Sequence, residues 1–276
     1  MSTITPAAAR PYRRSRYAAL AVTAAQQAIT YRIGTLTGIV ANFFWVAILY
    51  YLWRAAFAQQ PQLGVFNWDE MRTYILLAYG INALIGFPVA GRMMGAIRTG
   101  EIVIDVIRPL NYLQTQLALA IGQAAVEGLC SLVLVALLGV LVLGIVPPAS
   151  PLAAVGFVLS MALGFVTKFL FVFTISLVCF WTINAVGVNW AQLAIVNVLS
   201  GALVPIQFLP GILQDVAAWS PLRGIVATPV GIYLGQYAGW AMLGMLALQS
   251  GWLAVLWLVA DRAWVRAFRA VEIQGG

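Results

Sequence analysis

The sequence contains no histidine and only two cysteines in 276 residues. Without histidine there is no Ser-His or Cys-His nucleophile pair, no HExxH zinc site and no imidazole proton relay. Cys130 and Cys179 both lie in apolar runs without CxxC spacing, so the sequence predicts neither a disulfide framework nor a metal site. A GxxxxGKS/T phosphate-binding loop is also missing from the sequence. These absences disfavour an intramembrane protease, and we expect the chain itself to bind no metal and no cofactor.

Charged residues are scarce as well. Only 8% of the residues are charged, whereas 63% are hydrophobic and the mean hydropathy is +0.94. A soluble domain has about 25% charged residues. Apolar runs of about 20 residues recur along the chain, and each is long enough as a helix to cross a hydrocarbon core of roughly 30 Å. The sequence therefore predicts an all-α integral membrane protein.

The apolar runs predict six transmembrane helices. They lie at about residues 34–53, 73–90, 117–146, 152–181, from 190 into a proline-rich stretch, and 240–260. We expect residues 1–33 to form a cytoplasmic tail with an interfacial helix, and residues 34–276 to form the six-span transmembrane domain.

The residues before the first span show the spacing of an amphipathic helix. One side would hold Arg16, Thr23, Gln27 and Thr30, and the other side Tyr17, Leu20, Ala24, Ala28 and Tyr31. The apolar run after the arginines has no convincing cleavage site, which disfavours a cleaved signal. We expect this helix to lie along the inner membrane surface.

The basic residues indicate how the chain is oriented in the membrane. Eleven of the 15 Lys and Arg residues lie in the amino-terminal segment, the loop 91–116 and the carboxy-terminal tail. The opposite side holds only Arg54, Arg72 and Arg223. Because cytoplasmic loops carry the excess of Lys and Arg, both termini are predicted to be cytoplasmic. Contact with anionic lipids accounts for the net charge of +7, and no nucleic-acid partner is predicted.

An apolar stretch at residues 197–236 begins as a span but contains Pro205, Pro210, Pro221 and Pro229, which one continuous helix does not accommodate. Broken helices at membrane depth need cover from protein or line a water-filled cavity. The apolar piece 206–213 is too short to span, and we predict a re-entrant helix on the outer side, the alternative being an ordinary outer loop. The candidate gate residues are Gly201, Pro205, Phe208, Pro210, Leu213, Asp215, Arg223, Pro229 and Gly231.

The cytoplasmic segment 91–116 mixes charged and apolar residues before a proline. Ile97, Ile104 and Ile107 would share a helical face, although Gly100 and Pro109 keep any helix short. Such an element docks on a partner, or else it is an interfacial helix whose charges are solvated. The candidate docking residues are Arg98, Gly100, Glu101, Asp105, Arg108 and Pro109.

Glu127 and Lys168 are charged residues deep inside predicted spans, at nearly matching depths. A charge near mid-membrane costs at least ~2.5 kcal/mol, so we predict that the two form a pair. The pair is either structural, joining two adjacent helices, or a polar contact for substrate. A stand-alone secondary transporter would instead use Glu127 as its proton or ion site. The sequence shows no internal repeat, which leaves an inverted-repeat carrier without support.

Two segments of the chain resemble the permease subunit of type-2 ABC exporters, in particular the short six-span bacterial subfamily without a fused ATPase. The first runs from Gly100 and Glu101 through Asp105 to Arg108, Pro109, Leu110 and Asn111. The second holds Ser200, Gly201, Pro205, residues 208–210, Pro221, Pro229 and residues 231–235. The amphipathic amino-terminal helix is similar to the connecting helix of that family.

The resemblance implies a dimer of permeases, identical or homologous, in the bacterial inner membrane above two cytoplasmic ABC ATPase subunits. ATP and Mg would be bound by those ATPases. Residues 101–108 would form a coupling helix in a groove of the ATPase, and the proline-rich stretch would form short extracellular helices that close the pathway. The expected function is export of a lipid-like, hydrophobic or amphipathic substrate. The alternatives are the secondary transporter and a membrane scaffold without a pathway.

Overall fold

The computed structural model describes residues 13–30, 32–84, 88–107, 109–139, 144–182 and 185–274. Tyr31 and Arg108, which belong to the predicted interfacial helix and docking segment, lie outside these residues. Within the described ranges the chain is helical except for connecting segments and one short hairpin, so the predicted all-α class is confirmed.

The twelve α-helices of the described part are α1 (Arg13–Thr30), α2 (Arg32–Phe57), α3 (Trp68–Ala83), α4 (Pro88–Thr99), α5 (Ile102–Ile107), α6 (Tyr112–Gln123), α7 (Leu129–Leu138), α8 (Pro151–Ser176), α9 (Ala185–Leu199), α10 (Gly211–Trp219), α11 (Ala227–Tyr233) and α12 (Trp240–Gln274). A π-helical turn (Ala124–Gly128) joins α6 to α7, and 3₁₀ turns lie at Leu177–Phe180, Ile206–Phe208 and Pro221–Gly224. Strands β1 (Gln62–Leu63) and β2 (Phe66–Asn67) pair antiparallel between α2 and α3.

Polar side chains begin several of these helices. The Asn67 side chain accepts a hydrogen bond from the Glu70 N–H, and the Glu70 carboxylate accepts one from the Asn67 N–H, which makes a capping box for α3. Asn111 caps α6 and Ser150 caps α8, each with a single hydrogen bond that its side-chain oxygen accepts from a backbone N–H of the helix. These residues explain why the three helices begin at the positions observed.

Three helical segments are long and apolar enough to cross a membrane, among the residues that the structure describes. They are Tyr112–Val135, Pro151–Phe180 and Trp240–Arg269, and two shorter apolar helices are Phe44–Phe57 and Ala185–Leu199. The chain is therefore a multi-pass membrane protein. The count of six spans stays a prediction.

The second predicted span, residues 73–90, is divided between two helices. The first, α3, has 16 residues and is about 24 Å long, which is less than a hydrocarbon core of roughly 30 Å. It ends at Ala83, and α4 begins at Pro88.

Two clusters of buried apolar side chains hold the bundle together. The first, which we call the Phe66 cluster, joins α2 and α3 to Val196 and to residues of the proline-rich stretch such as Ile225. The second, the Phe173 cluster, joins α6, α8 and α12, and it includes Met93 and Ile102 from the docking segment. The second half of α8 belongs to the Phe173 cluster, and Phe157 and Met161 in its first half are partly buried and pack on the Phe66 cluster.

The helix α1 packs against α6 and the π-helical turn that follows it. Ala24 and Ala28 on its predicted apolar side are buried, and Thr23 and Gln27 on its predicted polar side are exposed. A Cβ atom added at Gly122 would overlap the main chain of Ala21, so the two helices touch backbone to backbone. The predicted amphipathic face is present, and it is covered by α6.

Candidate functional site

The proline-rich stretch consists of short helices, and each proline lies at the start of one of them. The first N–H groups of a helix have no partner inside that helix, so proline costs little there. Pro205 and Pro210 immediately precede the 3₁₀ turn at residues 206–208 and α10, Pro221 opens the next 3₁₀ turn, and Pro229 is the third residue of α11. With nine and seven residues, α10 and α11 are each about 14 Å long or less, far too short to span.

Two glycines of this stretch allow close contacts with tyrosines. Gly201 has a φ of +82°, and the Tyr74 hydroxyl donates a 2.8 Å hydrogen bond to its carbonyl oxygen. A Cβ at Gly201 would lie 2.6 Å from that hydroxyl oxygen, and a Cβ at Gly231 would lie 2.6 Å from the Tyr237 ring. Gly201 therefore requires glycine for its φ as well as for space, and a larger residue at Gly231 would have to displace the Tyr237 ring.

The predicted gate residues separate into an anchored group and an exposed group. The Phe208 ring packs on Trp53 and Phe66 of the same chain, with centroid distances of 5.1 and 6.0 Å, and Pro205 is buried nearby. Leu213 lies on α10, whose apolar side chains are largely exposed: Ile212 83%, Leu213 44%, Val216 49% and Trp219 77%. The exposed surface of this stretch is thus α10.

Arg223 fastens the end of α10 to the segment before α12. Its guanidinium donates hydrogen bonds of 3.0 Å to the Ala218 carbonyl and 2.9 Å to the Tyr237 hydroxyl. Asp215 is exposed on α10, and the ion pair found among the described residues is between Arg72 and Asp69. The two hydrogen bonds of Arg223 therefore join neighbouring parts of the chain.

The predicted docking segment is a short helix, α5, set at a sharp turn from α4. Gly100 has a φ of +77°, a conformation that favours glycine, and it ends α4 directly after Arg98 and Thr99. Glu101 is exposed at the start of α5, and Pro109 follows α5 after the undescribed Arg108. Because the chain turns at Gly100, Ile97 belongs to α4 and packs on the Phe173 cluster, so the predicted face shared by Ile97, Ile104 and Ile107 is wrong.

One side chain anchors α5, and others project from it. Ile102 is only 3% exposed and lies in the Phe173 cluster, whereas Val103, Ile104 and Ile107 are 47%, 61% and 78% exposed. Asp105 is half-buried. The α5 helix thus presents an apolar surface beside the charged side chains of Arg98 and Glu101, which are themselves exposed.

The residue that caps α6 also connects this segment to α1. The Asn111 N–H donates a 3.3 Å hydrogen bond to the Tyr17 hydroxyl, and its side-chain oxygen accepts one from the Gln114 N–H. The Tyr112 ring stacks on Trp264 of α12 at 4.1 Å. The start of α6 is therefore in contact with both α1 and α12.

Lys168 is 6% exposed in the middle of α8 and contacts the end of α3. Its ammonium donates hydrogen bonds of 2.6 Å to the Asn82 carbonyl oxygen and 2.7 Å to the Asn82 side-chain oxygen. The Asn82 amide in turn donates a 2.9 Å bond to the Asn197 side chain on α9. The carbonyls of the last helical turn lack partners and carry partial negative charge, so the cation stabilises the end of α3.

Glu127 lies in the π-helical turn and has other partners. Its carboxylate accepts a 3.2 Å hydrogen bond from the Gln123 amide, and the Gln123 side-chain oxygen accepts one of 3.2 Å from Arg92 on α4. The structure does not bring Glu127 and Lys168 together as an ion pair. Matching depth predicts only the height of a residue along its helix and not the neighbour that it faces. The π-helical turn that holds Glu127 packs on α1 and α3.

Sequence reasoning missed three buried or half-buried amides that join helices. Asn82 and Asn197 connect α3, α8 and α9, as described above. Gln249 on α12 accepts a 2.8 Å bond from the Ser160 hydroxyl and donates one of 2.7 Å to the Gly224 carbonyl. An isolated amide inside an apolar run is the signal that could have pointed to them, because a polar group in hydrocarbon needs a partner.

Several helices of membrane-spanning character and the set of short helices at the proline-rich stretch define a multi-pass α-helical membrane protein. The family model described as "ABC-2 family transporter protein" matches residues 43–275. The chain belongs to this family, and it is an ABC transporter permease, as the resemblance of the two segments predicted. No match was found among curated proteins.

Proposed function

We propose that this chain is the membrane-spanning subunit of an ATP-driven exporter and forms the pathway for a lipid-like, hydrophobic or amphipathic substrate. Two permease chains, identical or homologous, would assemble with two cytoplasmic ATPase subunits, which bind ATP and Mg and hydrolyse the nucleotide. In this proposal the chain crosses the bacterial inner membrane six times with both termini in the cytoplasm, and the proline-rich stretch lies on the outer side.

The exposed apolar surface of α5 is the observation that carries the proposal. Ile104 and Ile107 of α5 are more than half exposed, and the charged residues that precede α5 in the sequence, Arg98 and Glu101, are exposed too. Those charges favour a location outside the hydrocarbon core. An apolar patch rimmed by charged residues in a polar environment is typical of a protein contact site. The cytoplasmic ATPase is the partner that an ABC transporter permease requires.

The packing supports a path from α5 to the proline-rich stretch through α8. Ile102 of α5 lies in the same cluster as Phe169 and Phe173 of α8, so a push on α5 acts on that helix. Closely packed interiors transmit displacement well.

The middle of α8 touches the proline-rich stretch directly. A Cβ at Gly164 would lie 2.6 Å from the Gly224 carbonyl oxygen and 3.1 Å from the Ile225 Cα. Because α8 has tight contacts at both places, closure of the ATPase dimer would tilt α8 and shift the short helices beyond it. This rigid-body coupling would open the outer end of the pathway.

Co-expression with the cognate ATPase tests the docking assignment. We expect the double variant Ile104→Ser, Ile107→Ser to lose most of the ATPase that co-purifies with the wild-type permease, and Glu101→Lys to weaken the association. Val65→Ser changes a comparably exposed apolar residue of the β1–β2 hairpin, at 58% exposure, and is the matched control. Membrane insertion should be unchanged in all variants. Full ATPase recovery with the double variant and with Glu101→Lys would show that α5 is not the docking element.

A further inference from the structure

Lys168, in the cluster that it forms with Asn82 and Asn197, is, within the part of the chain that the structure describes, a cation without a counter-charge, which a purely structural contact does not require. Among the described residues no carboxylate pairs with the Lys168 ammonium, which contacts only neutral oxygens of Asn82. Insertion of an isolated charge into a membrane costs at least ~2.5 kcal/mol, and an intramembrane cation is by default a functional site. The negative end of α3 offsets part of this cost, but it supplies no full negative charge.

The ammonium also keeps hydrogen-bonding capacity. An ammonium has three N–H donors, and two of them are used by the two Asn82 oxygens. In its bond with Asn82 the Asn197 side chain uses its oxygen as the acceptor, so this bond leaves the N–H groups of the Asn197 amide unused. Donors from two helices, α8 and α9, are thus available at the same place.

The cluster is accessible from one side. Lys168 itself is 6% exposed, whereas Asn82 and Asn197 are half-buried, so the part of the cluster that the protein leaves uncovered belongs to the two asparagines. A ligand that approaches from there would meet both amides before it meets the cation.

We propose that Lys168, Asn82 and Asn197 bind the anionic head group, a carboxylate or a phosphate, of the amphiphile that this permease transports. The inference rests on the proposed transport function and names the class of substrate. The bound anion supplies the counter-charge that the chain does not provide to Lys168, and the amides of Asn82 and Asn197 orient the head group.

Binding of brominated lipids to the full-length permease in an uncharged detergent tests this proposal. The probes are dibromostearate and dibrominated phosphatidic acid, each compared with its uncharged counterpart, dibromostearate methyl ester and dibrominated diacylglycerol. Quenching of tryptophan fluorescence gives an apparent Kd for each probe. We expect at least one anionic probe to bind about tenfold more tightly than its uncharged counterpart, because a charge-assisted contact is added.

Two variants separate binding from folding. Lys168→Gln removes the charge, and Asn197→Asp places a negative charge in the site at constant size while keeping an oxygen that accepts from Asn82. Both should reduce the preference for the anion to less than about twofold, and Asn197→Asp should not lower the unfolding temperature. Glu127→Gln, which changes the other intramembrane charge, is the control and should keep the full preference.

The outcomes distinguish this inference from the proposed function. No anion preference in the wild type, or an unchanged preference in Asn197→Asp and Lys168→Gln, would overturn the head-group site. Complete displacement of the probe by millimolar inorganic phosphate would overturn it too, because the site would then take a free anion. The lipid-binding measurement uses no ATPase. A negative result there does not affect the test of ATPase association, and a permease that fails to associate with the ATPase can still be measured for lipid binding.

Discussion

The hydroxyl of Tyr74 and the carbonyl oxygen of Gly201 form a buried 2.8 Å hydrogen bond that fastens α3 to the first turn of the proline-rich stretch. The two residues are 127 positions apart in the sequence. The contact is possible because Gly201 has no Cβ and adopts a positive φ. It ties the Phe66 cluster to the proposed outer gate.

Loss of the Tyr74 hydroxyl should destabilise the protein. In Tyr74→Phe the Gly201 carbonyl is left buried without this donor, which costs about 1–3 kcal/mol. We expect a lower thermal unfolding temperature of the purified protein, followed by tryptophan fluorescence. Tyr51→Phe removes a hydroxyl from a side chain that is 64% exposed and should leave the temperature unchanged. Equal temperatures for Tyr74→Phe and wild type would contradict the assigned bond.

A larger side chain at Gly122 should separate α1 from α6. A Cβ there would overlap the Ala21 main chain, which cannot move aside without displacing α1. In a background with Cys130 and Cys179 replaced by serine, Ala24→Cys should react slowly with maleimide, because Ala24 is 3% exposed. The additional change Gly122→Leu should raise that rate several-fold.

The control for the α1 experiment is Gly91→Leu on α4. No atom lies within 4 Å of a Cβ added at Gly91, so the maleimide rate should stay low. A low rate in Gly122→Leu would mean that α1 does not depend on this contact.

Cysteine cross-linking should distinguish the exposed from the anchored gate residues. If α10 faces a second permease, Leu213→Cys should cross-link between two chains in a cysteine-free background and block export until it is reduced. Phe208→Cys should not cross-link, because the Phe208 position faces Trp53 within its own chain. Export that continues after complete cross-linking at Leu213 would rule out a gate at α10.

The energy source of transport should not depend on Glu127. The Glu127 carboxylate is hydrogen-bonded to Gln123 and linked through it to Arg92, an arrangement that joins α4 to the π-helical turn. We expect Glu127→Gln to retain ATP-driven transport, since glutamine can also accept the bond from Gln123. Transport that resists ATP depletion in the wild type but disappears in Glu127→Gln would favour the secondary transporter instead.

Local sequence signals predicted much of the fold. Composition and apolar runs predicted an all-α membrane protein, and the prolines and glycines predicted where helices start and stop. Gly100 ends α4 and Pro210 precedes α10, because a positive φ and a missing N–H are properties of single residues. The two segments that resemble ABC permeases also led to the correct family.

The partners of the polar side chains were decided only by the tertiary structure. Charge and depth predict a pair of Lys168 with Glu127, but the fold places the end of α3 against Lys168, and the Lys168 ammonium donates its hydrogen bonds to Asn82. Likewise, the sequence predicts Phe208 and Leu213 as members of one gate, although the Phe208 ring packs on Trp53 of the same chain. Hydropathy and spacing determine which residues enter the membrane and at what height, whereas the rotation of each helix about its axis, which selects the neighbours, depends on the packing of the whole bundle.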